Sequence, residues 1–419
     1  MGRVSFGEPV NSGATPLPTS EVIGPAREIS FAEIVCPDGG PIEESDFSRH
    51  FCVKQMLHIA QDDRTRFGHL FTWQRINDLL SLGTLEEWRI RVTRDGRDVP
   101  TPFYRTTDGQ VGLVNSRKLH DLVDQNASVG INSVQFLSPP ILRLATQIEI
   151  ALGQKVWVNC YMTFGSGGAF AIHFDAHDVI VLQLQGSKRW FLYDEPEPAP
   201  LETTPKLKPA PPRDVIFETD LQAGDVLYVP RGTYHRAEVT GPFSVHLTFG
   251  IHAFKGIKFI DAIRSAAEKE KFFREDVLMV AGPEAFAEQE RALKSRLCEV
   301  INHSSLLKFV EEWQLTREPV YRFRLGPQGE LDEQTMLAPL LRSRNAWRDS
   351  VAKKDKEPSV AGERIISSLI ERNSATLGEL KAELGGVLDE DTLQSTLEEL
   401  LNDGWIEVVR NFGGDTSDG

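Results

Sequence analysis

The 419-residue chain holds only four cysteines, Cys36, Cys52, Cys160 and Cys298, far apart and in no C-x-x-C pair. That spacing offers neither a thiolate zinc site nor a disulfide framework, and a reducing cytoplasm is the expected setting. No apolar run is long enough to span a bilayer, so no membrane role is expected. The opening MGRVSFGEPV has no apolar signal core, and Phe6 stands where a myristoylation motif wants Ser or Thr. Cations are outnumbered, 46 Lys and Arg against 61 Asp and Glu, for a net charge of −15. A general nucleic-acid binder needs a basic surface, so no direct nucleic-acid contact is expected. An acidic surface favours basic partners or simply aids solubility. No repeat recurs at a fixed period.

What is present is core-forming sequence, 40% apolar, in a chain long enough for two or three domains. Residues 1–27 are rich in Pro, Gly, Ser and Thr and read as a flexible leader. Between 28 and 150 the pattern is mixed. Thr72 is placed to cap a helix over FTWQRINDLLSLG, WRIRVTRDG alternates like a strand, and SRKLHDLVDQNA and PPILRLATQIEIALG have helical spacing. From 156 to 250 the chain turns to short strands rich in β-branched and aromatic residues: KVWVNCYMTF, DVIVLQLQG, KRWFLYD, VIFETDLQAGDVLYVP and FSVHLTFGI. Such a series predicts a sandwich or small barrel. The Pro-rich stretch 195–214 reads as an exposed insertion. Helical spacing returns over 256–345, 346–357 is a charged linker, and 358–412 reads as three helices and a Trp-containing strand, before a tail at 413–419.

Polar residues on a buried strand cost free energy unless something pairs with them, which singles out AIHFDAHDVIVLQLQGSKRW, residues 171–190. His173 and Asp175, two apart, share one face of an extended chain. His235 follows the strand and turn GDVLYVPRGTYH. Two imidazoles and one carboxylate make the facial triad suited to non-haem Fe(II), with open positions opposite. Taken alone, His-x-Asp reads more readily as a hydrogen-bonded pair closing a strand; its place at the start of an apolar strand, with a later His after a strand and turn, changes the weighing. His177 shares the same parity and offers a rival local triad, but positions i and i+4 on a strand lie roughly 13 Å apart. His177 is therefore expected to line the pocket or support the ligands. Gln183 and Trp190 read as packing, and His246 as a pocket-lining candidate. The glycines of FGSGGAF match neither a G-x-G-x-x-G nor a Walker pattern.

Three segments together resemble the JmjC-type cupin oxygenases, and most of all the ribosomal oxygenases and their bacterial cupin-like relatives. They are LSPP (137–140), the run from VNCYMTF through HFDAHDVIVLQLQGSKRW, and GDVLYVPRGTYHRAE with SVHLTFG. The resemblance implies an α+β protein: a double-stranded β-helix barrel over 28–255, a helical dimerisation region over 256–345 and a small winged-helix domain over 358–412. It implies Fe(II) held by His173, Asp175 and His235, with 2-oxoglutarate as co-substrate. Asn159, Tyr161, Lys188 and Thr248 match the family's co-substrate positions, Lys188 pairing with the distal carboxylate. On spacing alone, SKR reads as well as a solvated turn with Lys188 on its exposed edge. The implied activity is hydroxylation of a protein or peptide side chain, with a basic ribosomal protein as candidate substrate and a homodimer as the assembly. A metal cupin that does not use 2-oxoglutarate, a hydroxylase of a small natural product and a non-enzymatic binding module stay open. A winged helix suggests DNA, but here acidic residues such as Glu363, Glu390, Asp391 and Glu398 outnumber Arg364, Arg372, Lys381 and Arg410. Such a surface repels phosphate, and a protein-interaction module is expected.

Overall fold

The computed structural model describes residues 29–81, 85–94, 96–106, 113–165, 171–194, 196–205, 214–277, 282–315, 333, 335–339, 358–372 and 375–409. The expected leader 1–27, linker 346–357 and tail 413–419, the glycines of FGSGGAF beyond Gly165, and residues 206–213 of the Pro-rich stretch lie outside these.

The expected helices form where capping chemistry allows. Trp73–Ser81 starts after Thr72, whose hydroxyl accepts from Arg75 N at 3.2 Å. Pro139–Leu152 begins with its two prolines and ends at Gly153, whose φ of 62° supplies the left-handed cap.

Eleven strands follow one another before the helical region: β1 (Leu57–Ile59), β2 (Ile90–Arg94), β3 (Arg97–Asp98), β4 (Arg105–Thr106), β5 (Leu113–Val114), β6 (Ser128–Ile131), β7 (Lys155–Phe164), β8 (Asp178–Tyr193), β9 (Val215–Gln222), β10 (Val226–Val229) and β11 (His235–His252). β4 and β5 form a separate ribbon. The other nine make one antiparallel sheet in the order β1-β10-β8-β11-β7-β6-β2-β3, with β9 also on β8. Its core includes Ile131, Val158, Ile180, Leu182, Leu247 and Phe249.

One strand departs from expectation in a way that shapes the site. Sequence reading breaks DVIVLQLQG from KRWFLYD at Gly186. Instead β8 runs unbroken through it, paired with β11 along both halves. The positive φ of Gly186, 65°, is used in an irregularity of the ladder rather than in a turn. Buried Gln183 spans it, its amide donating to the Gln185 carbonyl and the Ser244 hydroxyl, both at 2.9 Å. A bulge inverts the alternation of side chains. Val179 before it and Lys188 and Trp190 after it therefore line the same cavity. VIFETDLQAGDVLYVP, conversely, is two strands, β9 and β10, divided by a turn with Gly224 at φ 91°.

The segment 256–345 is helical over Gly256–Ala267, Pro283–His303 and Leu306–Leu315. Its strand Met336–Pro339, however, is the middle strand of a second sheet, between Ala375–Thr376 and Ile406–Val409. That sheet and three helices, Val360–Arg372, Leu377–Leu384 and Glu390–Asn402, share a core of Ile365, Leu369, Leu380, Leu397 and Trp405. Trp405 sits just ahead of the last strand rather than in it. No described helix is long and apolar enough to cross a membrane.

Candidate functional site

His173 lies on an extended segment ahead of β8, not within it. It forms an isolated antiparallel bridge with His235, the first residue of β11. His173 N donates to the His235 carbonyl at 3.1 Å, and His235 N to the His173 carbonyl at 2.7 Å. The Asp175 carbonyl accepts from Gly232 N at 2.9 Å, in the turn before β11. Backbone hydrogen bonds thus hold the two distant parts of the motif together.

The imidazole tautomers follow from their partners. His173 Nδ1 meets the Ala171 carbonyl and His235 Nδ1 the Thr233 carbonyl, each at 2.9 Å. A carbonyl only accepts, so each Nδ1 carries a proton, and in the neutral ring that leaves Nε2 with the lone pair a metal needs. The rings stand 4.4 Å apart, and Asp175 Oδ2 lies 3.8 Å from His235 Nε2. One donor atom from each of His173, Asp175 and His235 falls within 4.8 Å of the others. His177 is not part of this group, so the rival local triad does not form. Two imidazoles and a carboxylate on one side fit a divalent transition metal.

The three residues line a cavity of about 440 Å³ that also takes in Lys188, Tyr161, Asn159, Thr248 and His246. Lys188 settles the choice between solvated turn and buried cation: it is 3% exposed. Its ammonium donates to Thr163 Oγ1 at 3.1 Å, and no carboxylate of the described residues lies within 4.0 Å of it. Burial pushes its pKa down to about 8. A buried cation with a hydroxyl partner and no counter-ion among the described residues is suited to an anion.

Register explains the adjoining wall. His246 stands across from Tyr161, and Thr248 across from Asn159, so β7 and β11 present all four on one face. The Tyr161 and His246 rings stack at 5.4 Å. Burial and the Lys188 charge hold His246 neutral, well below the usual histidine pKa. Asn159 is partly committed elsewhere, since its Oδ1 accepts from Ser133 N at 3.1 Å. Trp190 packs 5.8 Å from the His235 ring.

Three contributors escaped the sequence reading. Thr163 continues the alternation Asn159, Tyr161, Thr163 on β7, a signal that was available. Arg91, on the cavity wall, pairs bidentately with Asp98 at 2.5 and 3.1 Å. Asp178, fully buried, accepts from the Tyr228 hydroxyl and Arg231 N, both at 3.1 Å, and pairs with Lys54 at 2.8 Å. It ties the start of β8 to the turn that delivers His235.

Comparison with known proteins bears on the same region. Residues 133–258 match the JmjC domain. The chain is 28% identical over 219 residues, 51% of its length, to a Drosophila willistoni protein named bifunctional lysine-specific demethylase and histidyl-hydroxylase NO66, and the match covers 28% of that protein. It is 28% identical over 220 residues, again 51% of its length, to ribosomal oxygenase 2 of Rattus norvegicus, covering 46% of it. The chain thus spans less than half the length of these relatives. Among solved structures, YcfD of Escherichia coli, described as a ribosomal oxygenase, superposes with a TM-score of 0.50 over 87% of this chain and 98% of its own, at 17% identity. That likeness is one of fold.

Proposed function

We propose, for a chain that carries a JmjC domain, that it is an Fe(II)- and 2-oxoglutarate-dependent oxygenase hydroxylating a protein or peptide side chain. The observation that carries this reading is the pairing, in one cavity, of the His173–Asp175–His235 donor set with the buried, counter-ion-free Lys188. A metal site alone fits many cupins; a buried ammonium beside it asks for an anionic co-substrate.

In this reading His173, Asp175 and His235 hold the iron. When bound, the iron and 2-oxoglutarate would, with O2, supply an oxidative decarboxylation to succinate and CO2, one oxygen atom of O2 entering succinate and the other a substrate C–H bond. The Lys188 ammonium takes the distal carboxylate by a charge-assisted hydrogen bond. Thr163 orients the ammonium; Tyr161 and Thr248 offer hydroxyls from β7 and β11 of the same sheet. The rings of Tyr161 and neutral His246 stack beside it.

The names of the relatives support a ribosomal protein as substrate, and the net charge of −15 favours encounter with a basic one. We read residues 28–255 as the catalytic barrel, the following helices as a dimerisation region, and 358–412, together with the strand Met336–Pro339, as a winged-helix module for protein contact. We place the protein in the cytoplasm. The test is mass spectrometry of ribosomal proteins from cells with and without the gene, repeated with purified enzyme, Fe(II) and 2-oxoglutarate. A single side chain gaining one oxygen only with enzyme and 2-oxoglutarate supports the proposal. Unmodified ribosomal proteins, with 2-oxoglutarate still turned over, move the substrate to another peptide or a small molecule.

A further inference from the structure

A second group of metal-ligating side chains lies beside the first. His177, two residues beyond Asp175, meets His252, the last residue of β11, and Glu202, from the segment between β8 and β9. One donor atom of each falls within 4.8 Å of the others. The two imidazole rings stack at 4.4 Å with an interplanar angle of 24°. His252 Nδ1 lies 3.8 Å from Glu202 Oε1.

The backbone makes room for this pair. A Cβ built on Gly250 would fall 2.8 Å from Cδ2 and Nε2 of His177 and 3.5 Å from His252 Nε2. Both rings therefore converge over a residue whose missing side chain they replace. Lys255 holds the carboxylate in place: its ammonium is 3.4 Å from Glu202 Oε1 and donates to the Ala176 carbonyl at 2.8 Å. That second bond keeps the ammonium anchored when a metal takes a Glu202 oxygen.

We propose that His177, Glu202 and His252 form a second divalent-metal site, of zinc type, next to the oxygenase centre. Two imidazoles and one carboxylate are a recurrent zinc donor set, with one position left for water. A tetrahedral set places donors about 3.4 Å apart, so closing the observed triangle takes side-chain movement of about an ångström together with rotation of the two rings out of their stack, since each imidazole donates in its own plane. The metal clasps the segment carrying Glu202 onto the end of β11. That segment is already tied to the His235 turn, where Glu197 N donates to the Gly232 carbonyl at 2.9 Å. Because His177 also lines the cavity, the second metal fixes one of its walls. The proposal does not rest on the oxygenase reading.

The test is metal stoichiometry of the full-length chain, stripped with chelator, re-equilibrated with buffered Zn(II) and analysed by inductively coupled plasma mass spectrometry. Zn(II) also occupies the His173 site, so wild type is expected to retain two ions per chain. His173→Ala and His252→Ala should each retain one, and the double variant none. Glu202 is exposed, so Glu202→Gln tests the site without risk to folding; it should weaken the second binding event at least tenfold. One ion in wild type that His173→Ala removes and His252→Ala leaves in place, or two retained in both His252→Ala and Glu202→Gln, overturns the proposal. Failure of the oxygenase centre shows differently, as loss of the ion that His173→Ala removes while the His252-dependent ion stays.

Discussion

The Lys188 ammonium donates to the Thr163 hydroxyl at 3.1 Å, in a wall of the cavity that also holds His173, Asp175 and His235. A charge-assisted hydrogen bond to a co-substrate carboxylate is worth about 1.5–3 kcal/mol. Lys188→Ala should therefore weaken 2-oxoglutarate binding by about 10- to 100-fold, read by titration of the metal-loaded protein. Thr163→Val should weaken it less. Affinity unchanged in Lys188→Ala would show that the buried cation serves another ligand.

The same lysine predicts a pH dependence of stability. Its folded pKa is depressed to about 8 from an ordinary 10.5. Between those values the unfolded chain binds a proton the folded chain has released, so the lysine's contribution to stability rises with pH across that window. Below about 8 the folded protein carries the full penalty of the buried charge. Relative to Lys188→Met, the ligand-free wild type should gain about 3 kcal/mol between the lower and upper ends of the window. Urea unfolding at a series of pH values measures it. A difference independent of pH would mean the ammonium is better solvated or paired than the fold indicates.

Gly186 is expected to accept no side chain. Its φ is 65°, and a Cβ there would lie 2.1 Å from the Phe243 carbonyl oxygen. Gly186→Ala should lower stability by about 2 kcal/mol or more and, by shifting the ladder that sets the parity of Lys188, weaken 2-oxoglutarate binding too. An unfolding midpoint equal to wild type would contradict this.

Asp178 has its carboxylate bound by Tyr228, Arg231 N and Lys54 in a fully buried position. Asp178→Ala leaves those donors without their acceptor and should cost about 3 kcal/mol. Because Asp178 ties β8 to the turn before His235, metal affinity should fall as well. Unaltered metal affinity in a folded Asp178→Ala protein would limit the residue to stability.

The grouping of His173, Asp175 and His235 was legible because two short motifs together resemble a known family, His-x-Asp alone being ambiguous, and the helix limits at Thr72 and Gly153 because capping is local. The bulge at Gly186 was not. A glycine followed by Ser suits a turn as well as an irregular ladder, and only the partner strand β11 decides between them. The strand Met336–Pro339 was hidden for a related reason: four residues carry little periodicity, and both of its partners lie further along the chain. His177, Glu202 and His252 could not be grouped from sequence, since three separate elements bring them together. Thr163 could have been, by extending the β7 alternation two residues.

The most direct test of the central claim is an anaerobic titration of the purified chain with Fe(II) and then 2-oxoglutarate, followed in the visible region where 2-oxoglutarate chelated to iron absorbs by charge transfer. A band is expected in wild type, lost in His173→Ala, Asp175→Ala and His235→Ala, with a much higher 2-oxoglutarate requirement in Lys188→Ala. Iron bound at that site with no band at any 2-oxoglutarate concentration would contradict it, and would leave a metal cupin of different chemistry.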